Sequence, residues 1–341
     1  MIRITSLALV LTSTATLAHA DMPRIATDIA PVHGLVSMVT GDQATPSLLI
    51  DPSASPHTNA MRPSTAAALQ EADVVFWMGD ALTPWLETPI ETLAPDARHS
   101  ALLSVEGATL RSFRDTAAFG ADEGHDDHDH GDHAHDEEEH NHNDDHAHSD
   151  DHAHDDDHAH EGHEHEGHDH DGTDPHAWLD PANAQVWLTH IAAILSEIDP
   201  DNAATYTANA SAAKATVAKE TDAARARLAP LQGKPFVVFH DAYHYFEAQF
   251  GLSATGALSL SDAVPPSPSH VAEIQARIRD QNVVCVFSEP QYSDRLVQTV
   301  IDRTDARTVE LDPLGAQIDL GAAFYPALLR DMTTRFAECL Q

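Results

Sequence analysis

Three histidines follow predicted strands or precede a predicted helix, where a parallel α/β fold is expected to bind ligands. His57 follows a predicted strand that ends at Ile50, and His240 ends the run Phe236-Val-Val-Phe-His240. His176 lies in Asp174-Pro-His176-Ala-Trp-Leu-Asp180-Pro, directly before a predicted helix. Because such folds bind ligands beyond the carboxyl ends of their strands, the three imidazoles could share one transition-metal ion. The remaining histidines outside the N-terminal segment and the insert described next are expected to be surface or core residues: His33, His99, His190, His244 and His270.

A second concentration of histidine occupies residues 121–171. This insert contains 17 of the 26 histidines and 22 acidic residues, but no lysine or arginine. Because it has little apolar surface to bury, we expect a disordered loop. Imidazoles interleaved with carboxylates are ligands for zinc, copper or nickel, so the loop is predicted to hold several weak, rapidly exchanging metal sites. A purely solubilising role is the alternative, although acidic residues alone would provide it.

Short apolar runs alternate with amphipathic stretches on both sides of the insert. This alternation predicts an α/β fold of parallel sheets covered by helices on both faces. Strands are expected at 24–28, 47–50, 73–78, 235–239, 282–287 and 308–311. Helices are expected around 32–39, at 63–71 and 85–93, from 181, and at 242–250, 292–303 and 321–340.

One long helix is predicted between the two halves. Residues 201–228 are rich in Ala and contain no Gly or Pro. At 1.5 Å per residue this helix would be about 42 Å long, enough to run along a two-lobed molecule. A surface helix broken near its middle is the alternative. The predicted organisation is an N-terminal α/β lobe at 21–200, a linker helix at 201–229 and a C-terminal α/β lobe at 230–341.

The N-terminal segment has the pattern of a secretory signal. Met1–Ala20 contains Arg3, a short apolar run and the ending Ala18-His19-Ala20, which predicts cleavage and export, in bacteria to the periplasm. No later apolar stretch is long enough to span a bilayer, so we expect no membrane insertion after cleavage. In an oxidising compartment, Cys285 and Cys339 are expected to form one disulfide rather than remain buried thiols.

The charge balance excludes several functions. The formal net charge is −37, and 22 of the 55 acidic residues lie in the insert. A nucleic-acid binder needs a basic surface, and anionic lipids would repel this chain, so neither partner is expected. The sequence also lacks the HExxH, G-x-S-x-G and Walker motifs of common hydrolases and nucleotide-binding enzymes.

Five segments together resemble those of ZnuA-type proteins, the periplasmic zinc-binding components of ABC importers. The resemblance covers the whole mature chain in order, and the two middle histidine motifs are specific. The segments are Pro56-His57-Thr58 with Arg62-Pro63-Ser64, Asp174-Pro-His176-Ala-Trp-Leu-Asp180-Pro, Val238-Phe-His240-Asp-Ala-Tyr-His-Tyr-Phe246, Phe287-Ser-Glu-Pro-Gln291 and Leu311-Asp312-Pro-Leu-Gly315. The resemblance implies two α/β lobes joined by a long helix, metal in the cleft between them, a His-rich loop before the second ligand and a disulfide in the C-terminal lobe.

The resemblance also implies the ligands of one zinc ion. They are His57, His176 and His240, with Asp312 as the nominated fourth ligand and water as its alternative. Some family members carry an acidic residue directly before the first histidine, whereas this chain has Pro56 there. Manganese-binding relatives carry a carboxylate at the third ligand, so an imidazole at His240 favours zinc.

Two further residues near the motifs, Glu289 and His244, are not expected to bind the ion directly. Glu289 could orient a ligating imidazole or merely end its strand. His244, one helical turn beyond His240, is expected to be structural rather than a fifth ligand.

We therefore expect a monomeric periplasmic protein that captures Zn²⁺ and delivers it to a membrane permease and its ATPase. A permease and an ATPase are implied by the resemblance alone. A periplasmic metal buffer acting mainly through the insert is one alternative. A zinc hydrolase with three histidines and a water is another, less favoured because three imidazoles and a carboxylate would fill the tetrahedral site.

Overall fold

The computed structural model describes residues 22–58, 60–114, 172–259 and 266–341. The predicted signal peptide and the histidine-rich insert lie outside these residues. Within the described ranges, no helix combines the length and the apolar character needed to cross a membrane.

The first half of the chain forms a four-stranded parallel sheet. Its strands are β1 (Ile25–Thr27), β2 (Ser47–Leu48), β3 (Val74–Trp77) and β4 (Arg98–Ala101), in the order β2-β1-β3-β4. The helices α1 (Ala30–Thr40), α2 (Pro63–Glu71) and α3 (Pro84–Leu93) connect them. Every residue of β3 is buried, as expected for a strand with both faces of its sheet covered.

The second half repeats this topology. Strands β5 (Phe236–His240), β6 (Gly256–Ser259), β7 (Cys285–Ser288) and β8 (Arg307–Glu310) pair in parallel in the order β6-β5-β7-β8. The helices are α6 (His244–Phe250), α7 (Pro268–Asp280), α8 (Arg295–Ile301) and α9 (Phe324–Leu340). In each sheet the second strand lies on one side of the first strand and the third strand lies on the other side. The strand order therefore reverses at β1 and at β5, and each reversal is a topological switch point.

Two helices join the sheets. Helix α4 (Pro181–Ile198) starts where Asp180 accepts a hydrogen bond from the backbone N–H of Ala182 at 2.8 Å. Helix α5 (Ala203–Leu228) has 26 residues and is therefore about 39 Å long. It packs against α4, α1 and α9. The prediction of two parallel-sheet lobes with a long connecting helix is confirmed.

The two halves share one hydrophobic core. A continuous cluster of buried side chains includes Phe76 from the first sheet, Trp187 and Tyr206 from the joining helices, and Phe236 and Phe287 from the second sheet. A separate, smaller cluster fills the space between the second sheet and helices α7 and α8.

Helices α1 and α9 approach one another closely at Gly34. A Cβ atom at this position would lie 3.0 Å from the ring of Phe324 and 3.2 Å from the backbone N of Tyr325. Glycine is therefore the residue that permits this helix contact.

A disulfide ties the last helix to the second sheet. Cys285, at the start of β7, is bonded to Cys339 in α9, with 5.6 Å between the Cα atoms. The predicted pairing is confirmed.

Candidate metal centre

The folded chain brings His57, His176 and His240 together. His57 lies in the segment after β2, His240 is the last residue of β5, and His176 directly precedes a 3₁₀ turn at Ala177–Leu179. One potential ligand atom from each lies within 4.8 Å of the others. Nε2 of His176 is 3.4 Å from Nε2 of His57 and 3.4 Å from Nε2 of His240.

These nitrogen separations match a tetrahedral metal site. Imidazole nitrogens bind zinc at about 2.0–2.1 Å, and two such ligands at a tetrahedral angle lie about 3.3 Å apart. The two separations of 3.4 Å from Nε2 of His176 are therefore suited to one small ion, and the third pair, His57 and His240, lies within 4.8 Å.

Two carboxylates fix the tautomers of two of these rings. Asp174 Oδ1 lies 2.7 Å from Nδ1 of His176, and Glu289 Oε1 lies 2.8 Å from Nδ1 of His240. An Nδ1–H that donates to a carboxylate leaves the lone pair on Nε2. Both lone pairs then point toward the same small region, an arrangement that a cation stabilises.

The carboxylates are buried. Asp174 is 1% exposed and Glu289 is 2% exposed. Burial raises the pKa of Asp174 to about 7, because a carboxylate loses its hydration there. Burial, with Glu289 and Asp312 nearby, also raises the pKa of Tyr243 well above its usual value, and the Tyr243 hydroxyl donates to Glu289 at 3.1 Å. A cation on the imidazoles would offset part of the cost of holding these negative charges in the interior.

The segment that carries His57 is held by local hydrogen bonds. The backbone N–H of His57 donates to Ser55 Oγ at 3.2 Å, and Asp51 Oδ1 accepts from Ser53 N–H at 2.9 Å. The Trp85 indole N–H, from α3, donates to the carbonyl of Pro56 at 2.8 Å. Helix α3 therefore helps to position His57.

The three rings border a small cavity of about 10 Å³, which matches one water molecule. Both halves of the chain contribute to its wall. The lining residues are Ser55, Pro56, His57, His176, Trp178, His240, Glu289, Gln291, Tyr292, Pro313 and Leu314.

Asp312, nominated as the fourth ligand, is outside the group of three. Its Oδ1 accepts from Gln291 Nε2 at 3.0 Å and from the backbone N–H of Leu314 at 2.9 Å, while Oδ2 accepts from the backbone N–H of Ala316. Asp312 is 8% exposed. In this structure its carboxylate stabilises the turn at 312–316.

Glu289 and His244 occupy different environments. Glu289 contacts His240 directly, as one of its two predicted roles required. His244 lies outside the group of three, in the first turn of α6. Burial and the neighbouring Arg114 lower the pKa of His244, which favours its neutral form.

The two chain ends that lead to the insert form a short stem, defined here as residues 111–114 and 172–174. Ser112 and Thr173 make an antiparallel bridge within it. Arg114 donates to Glu247 at 3.0 Å and also pairs with Asp241, the residue after His240. The stem is therefore anchored on the second half of the chain, beside the candidate metal centre.

Two polar neighbours of the histidines were not predicted from the sequence. Asp174, two residues before His176, orients that ring, and the Asp-Pro-His spacing was a local signal for it. Gln291 lines the cavity, but its hydrogen bonds to Pro52 and Asp312 depend on the tertiary fold.

The model of one protein family matches residues 25–339, and its description is zinc-uptake complex component A, periplasmic. The chain belongs to the ZnuA family. ZnuA proteins are solute-binding components of zinc ABC importers and are not enzymes.

Two ZnuA relatives match over nearly their whole lengths. The high-affinity zinc uptake system protein ZnuA of Paracoccus denitrificans is 44% identical over 343 residues, covering 100% of this chain and 99% of the relative. The protein of the same name from Brucella abortus is 40% identical over 322 residues, covering 93% and 91%.

A crystal structure of ZnuA has the same fold. It superimposes with a TM-score of 0.70 at 21% sequence identity and covers 94% of this chain and 100% of the solved chain.

Proposed function

We propose that this chain captures one Zn²⁺ ion with His57, His176 and His240 and delivers it to an ABC permease. The observation that carries the proposal is the convergence of three imidazole nitrogens within 4.8 Å of one another, with two separations of 3.4 Å that suit tetrahedral zinc. The names of the ZnuA relatives support zinc uptake as the purpose of the site.

The ligand set favours zinc over manganese. Three nitrogen donors suit a borderline ion, whereas manganese prefers carboxylate and water oxygens. The neighbouring carboxylates contact the Nδ1 atoms of His176 and His240. In the proposed site these carboxylates orient the two rings and do not contact the ion themselves.

The fourth position is open to water or to Asp312. For Asp312 to bind the ion, its carboxylate would have to give up hydrogen bonds to Gln291 and to the backbone of Leu314 and Ala316. A water molecule would require no such rearrangement.

Capture and delivery would take place in the periplasm. Cleavage after Ala20 would release a mature monomer that holds Zn²⁺ between its two lobes and passes it to the permease, which an ATPase powers. The insert at 121–171 would concentrate further zinc ions at weak sites. The sequence pattern and the family support this scheme.

The test compares zinc affinity by chelator competition in protein from which residues 121–171 have been removed. The H57A, H176A and H240A changes should each weaken the one-equivalent site by more than about 100-fold, the upper range for loss of an orienting partner alone. His99, which bonds the carbonyl of Ala94 at 2.7 Å, provides a matched control, and H99A should leave zinc affinity unchanged.

Retention of a tight one-equivalent site in the triple histidine variant would contradict the proposal. If removal of residues 121–171 alone abolished tight binding, the metal-buffer function would be supported instead.

A further inference from the structure

Gln291 lines the cavity, and only one end of its side-chain amide is hydrogen-bonded within the described residues. Its Nε2 donates to the carbonyl of Pro52 at 3.3 Å and to Oδ1 of Asp312 at 3.0 Å. Its Oε1 is buried and has no hydrogen-bond partner among the described residues. Pro52 belongs to the segment that carries His57, so the amide also links the two halves of the chain.

The orientation of this amide is determined by its partners. A carbonyl and a carboxylate oxygen can only accept, so exchanging Nε2 and Oε1 would place three oxygens together. Oε1 must therefore be the unpartnered end. Because a buried amide oxygen without a donor is destabilising, a donor from outside the described residues is expected beside it.

The candidate metal centre supplies a place for such a donor. The Nε2 atoms of His176 and His240 carry lone pairs and cannot donate when their Nδ1–H groups face Asp174 and Glu289. A metal ion has no hydrogen to donate either. A water bound to the ion has two, and Gln291 lines the same cavity as the three imidazole rings.

We propose that Gln291 Oε1 accepts a hydrogen bond from a water molecule that is the fourth ligand of the bound ion. Gln291 is then a positioning residue for this water, while Asp312 remains in its turn and anchors the amide. This inference rests on the proposed function, because it requires an ion on the three imidazoles.

The experiment uses Co²⁺ as a spectroscopic probe and azide as a competitor for the water position. Visible spectra are recorded for the full chain and for its H176A variant, and the difference removes the contribution of the insert. Azide should replace the water and change the Co²⁺ spectrum. Because azide has no hydrogen to donate to Oε1, the wild-type protein should bind it weakly.

The Q291M variant removes the acceptor at similar side-chain volume. It should bind azide about three- to tenfold more tightly than the wild type, the range expected for one neutral hydrogen bond. The matched control is Q275M, since Gln275 bonds the carbonyl of Thr299 at the surface. Its azide affinity should equal that of the wild type.

Several outcomes would overturn the inference. Equal azide affinity in Q291M and wild type would show that Oε1 does not act on the water. A wild-type spectrum insensitive to azide, with sensitivity gained in D312N, would assign the fourth position to Asp312, and this comparison does not depend on the folding of Q291M. Failure of the full chain to give any H176A-sensitive Co²⁺ spectrum would instead overturn the proposed function.

Discussion

Asp174 contacts His176 through both the ring and the backbone. Its Oδ1 lies 2.7 Å from Nδ1 of the imidazole and 3.0 Å from the backbone nitrogen of the same residue. One carboxylate oxygen thus sets the position of the main chain and the tautomer of the ring.

The D174A change should weaken zinc binding without removing a ligand. We expect a loss of about 10–100-fold in affinity, typical for removal of a carboxylate that orients a ligating histidine. Chelator competition would measure it. D174N is the matched control, because its amide oxygen can still accept from Nδ1–H, and it should lose less affinity than D174A. Equal losses would contradict the orienting role.

The ion pairs of Arg114 should matter for stability. Asp241 and Glu247 are each only 3% exposed at the side chain, so R114M would leave two buried carboxylates without this partner. We expect the free energy of unfolding to fall by about 2–4 kcal/mol, somewhat below the range for fully buried pairs because Arg114 is 17% exposed.

A surface pair provides the comparison for Arg114. Arg24 and Asp73 are 61% and 41% exposed, so R24M should change the free energy of unfolding by no more than about 1 kcal/mol. Denaturant titration of both variants gives the values. Similar effects of R114M and R24M would show that burial does not distinguish the two pairs.

Loss of the disulfide should lower the free energy of unfolding, because the unfolded chain gains conformational freedom. The bridge joins residues that are 54 positions apart, and the chain-entropy model gives about 4 kcal/mol for a loop of this length. The C285A/C339A variant should therefore unfold at lower denaturant concentration, with zinc affinity retained under native conditions. A matching shift after reduction of the wild type would confirm the source of the effect, and no shift would contradict it.

Protonation of His33 should destabilise the fold in acid. His33 is 3% exposed, its Nε2 lies 3.2 Å from the carbonyl of Pro46, and burial lowers its pKa. The unfolded chain therefore binds a proton more readily than the folded chain, so the stability contributed by neutral His33 is lost as pH falls below about 6.5.

The H33Q variant measures this contribution. The difference in free energy of unfolding between wild type and H33Q should move in favour of H33Q as pH is lowered from about 7.5 to about 5 in metal-free buffer. A difference that stays constant over this range would contradict the argument.

Strands and helices with strong local signals could be predicted from the sequence. The Asp180-Pro181 start of α4 and the span of α2, Pro63–Glu71, were both correct. Strands β4 and β6 were missed because they are short and lack long apolar runs. Helix α7 was also missed, although Ser267 caps it and Ile274 and Ile278 form its buried face.

The candidate site was predictable only in part. The three histidines stand out by their places at strand and helix ends, and the structure brings them together. That they bind zinc remains a proposal. The surroundings of Asp312 could not be read from the family motif alone, because hydrogen bonds within its own turn compete with metal binding. The partners of Gln291 come from distant parts of the chain.

The shared hydrophobic core couples the unfolding of the two halves of the chain. Side chains from both sheets and from α4 and α5 belong to one continuous cluster, and a smaller cluster lies within the second half alone. Unfolding of either half would expose part of this shared cluster to water, so the two halves are expected to unfold together and the three imidazoles to disperse at the same time.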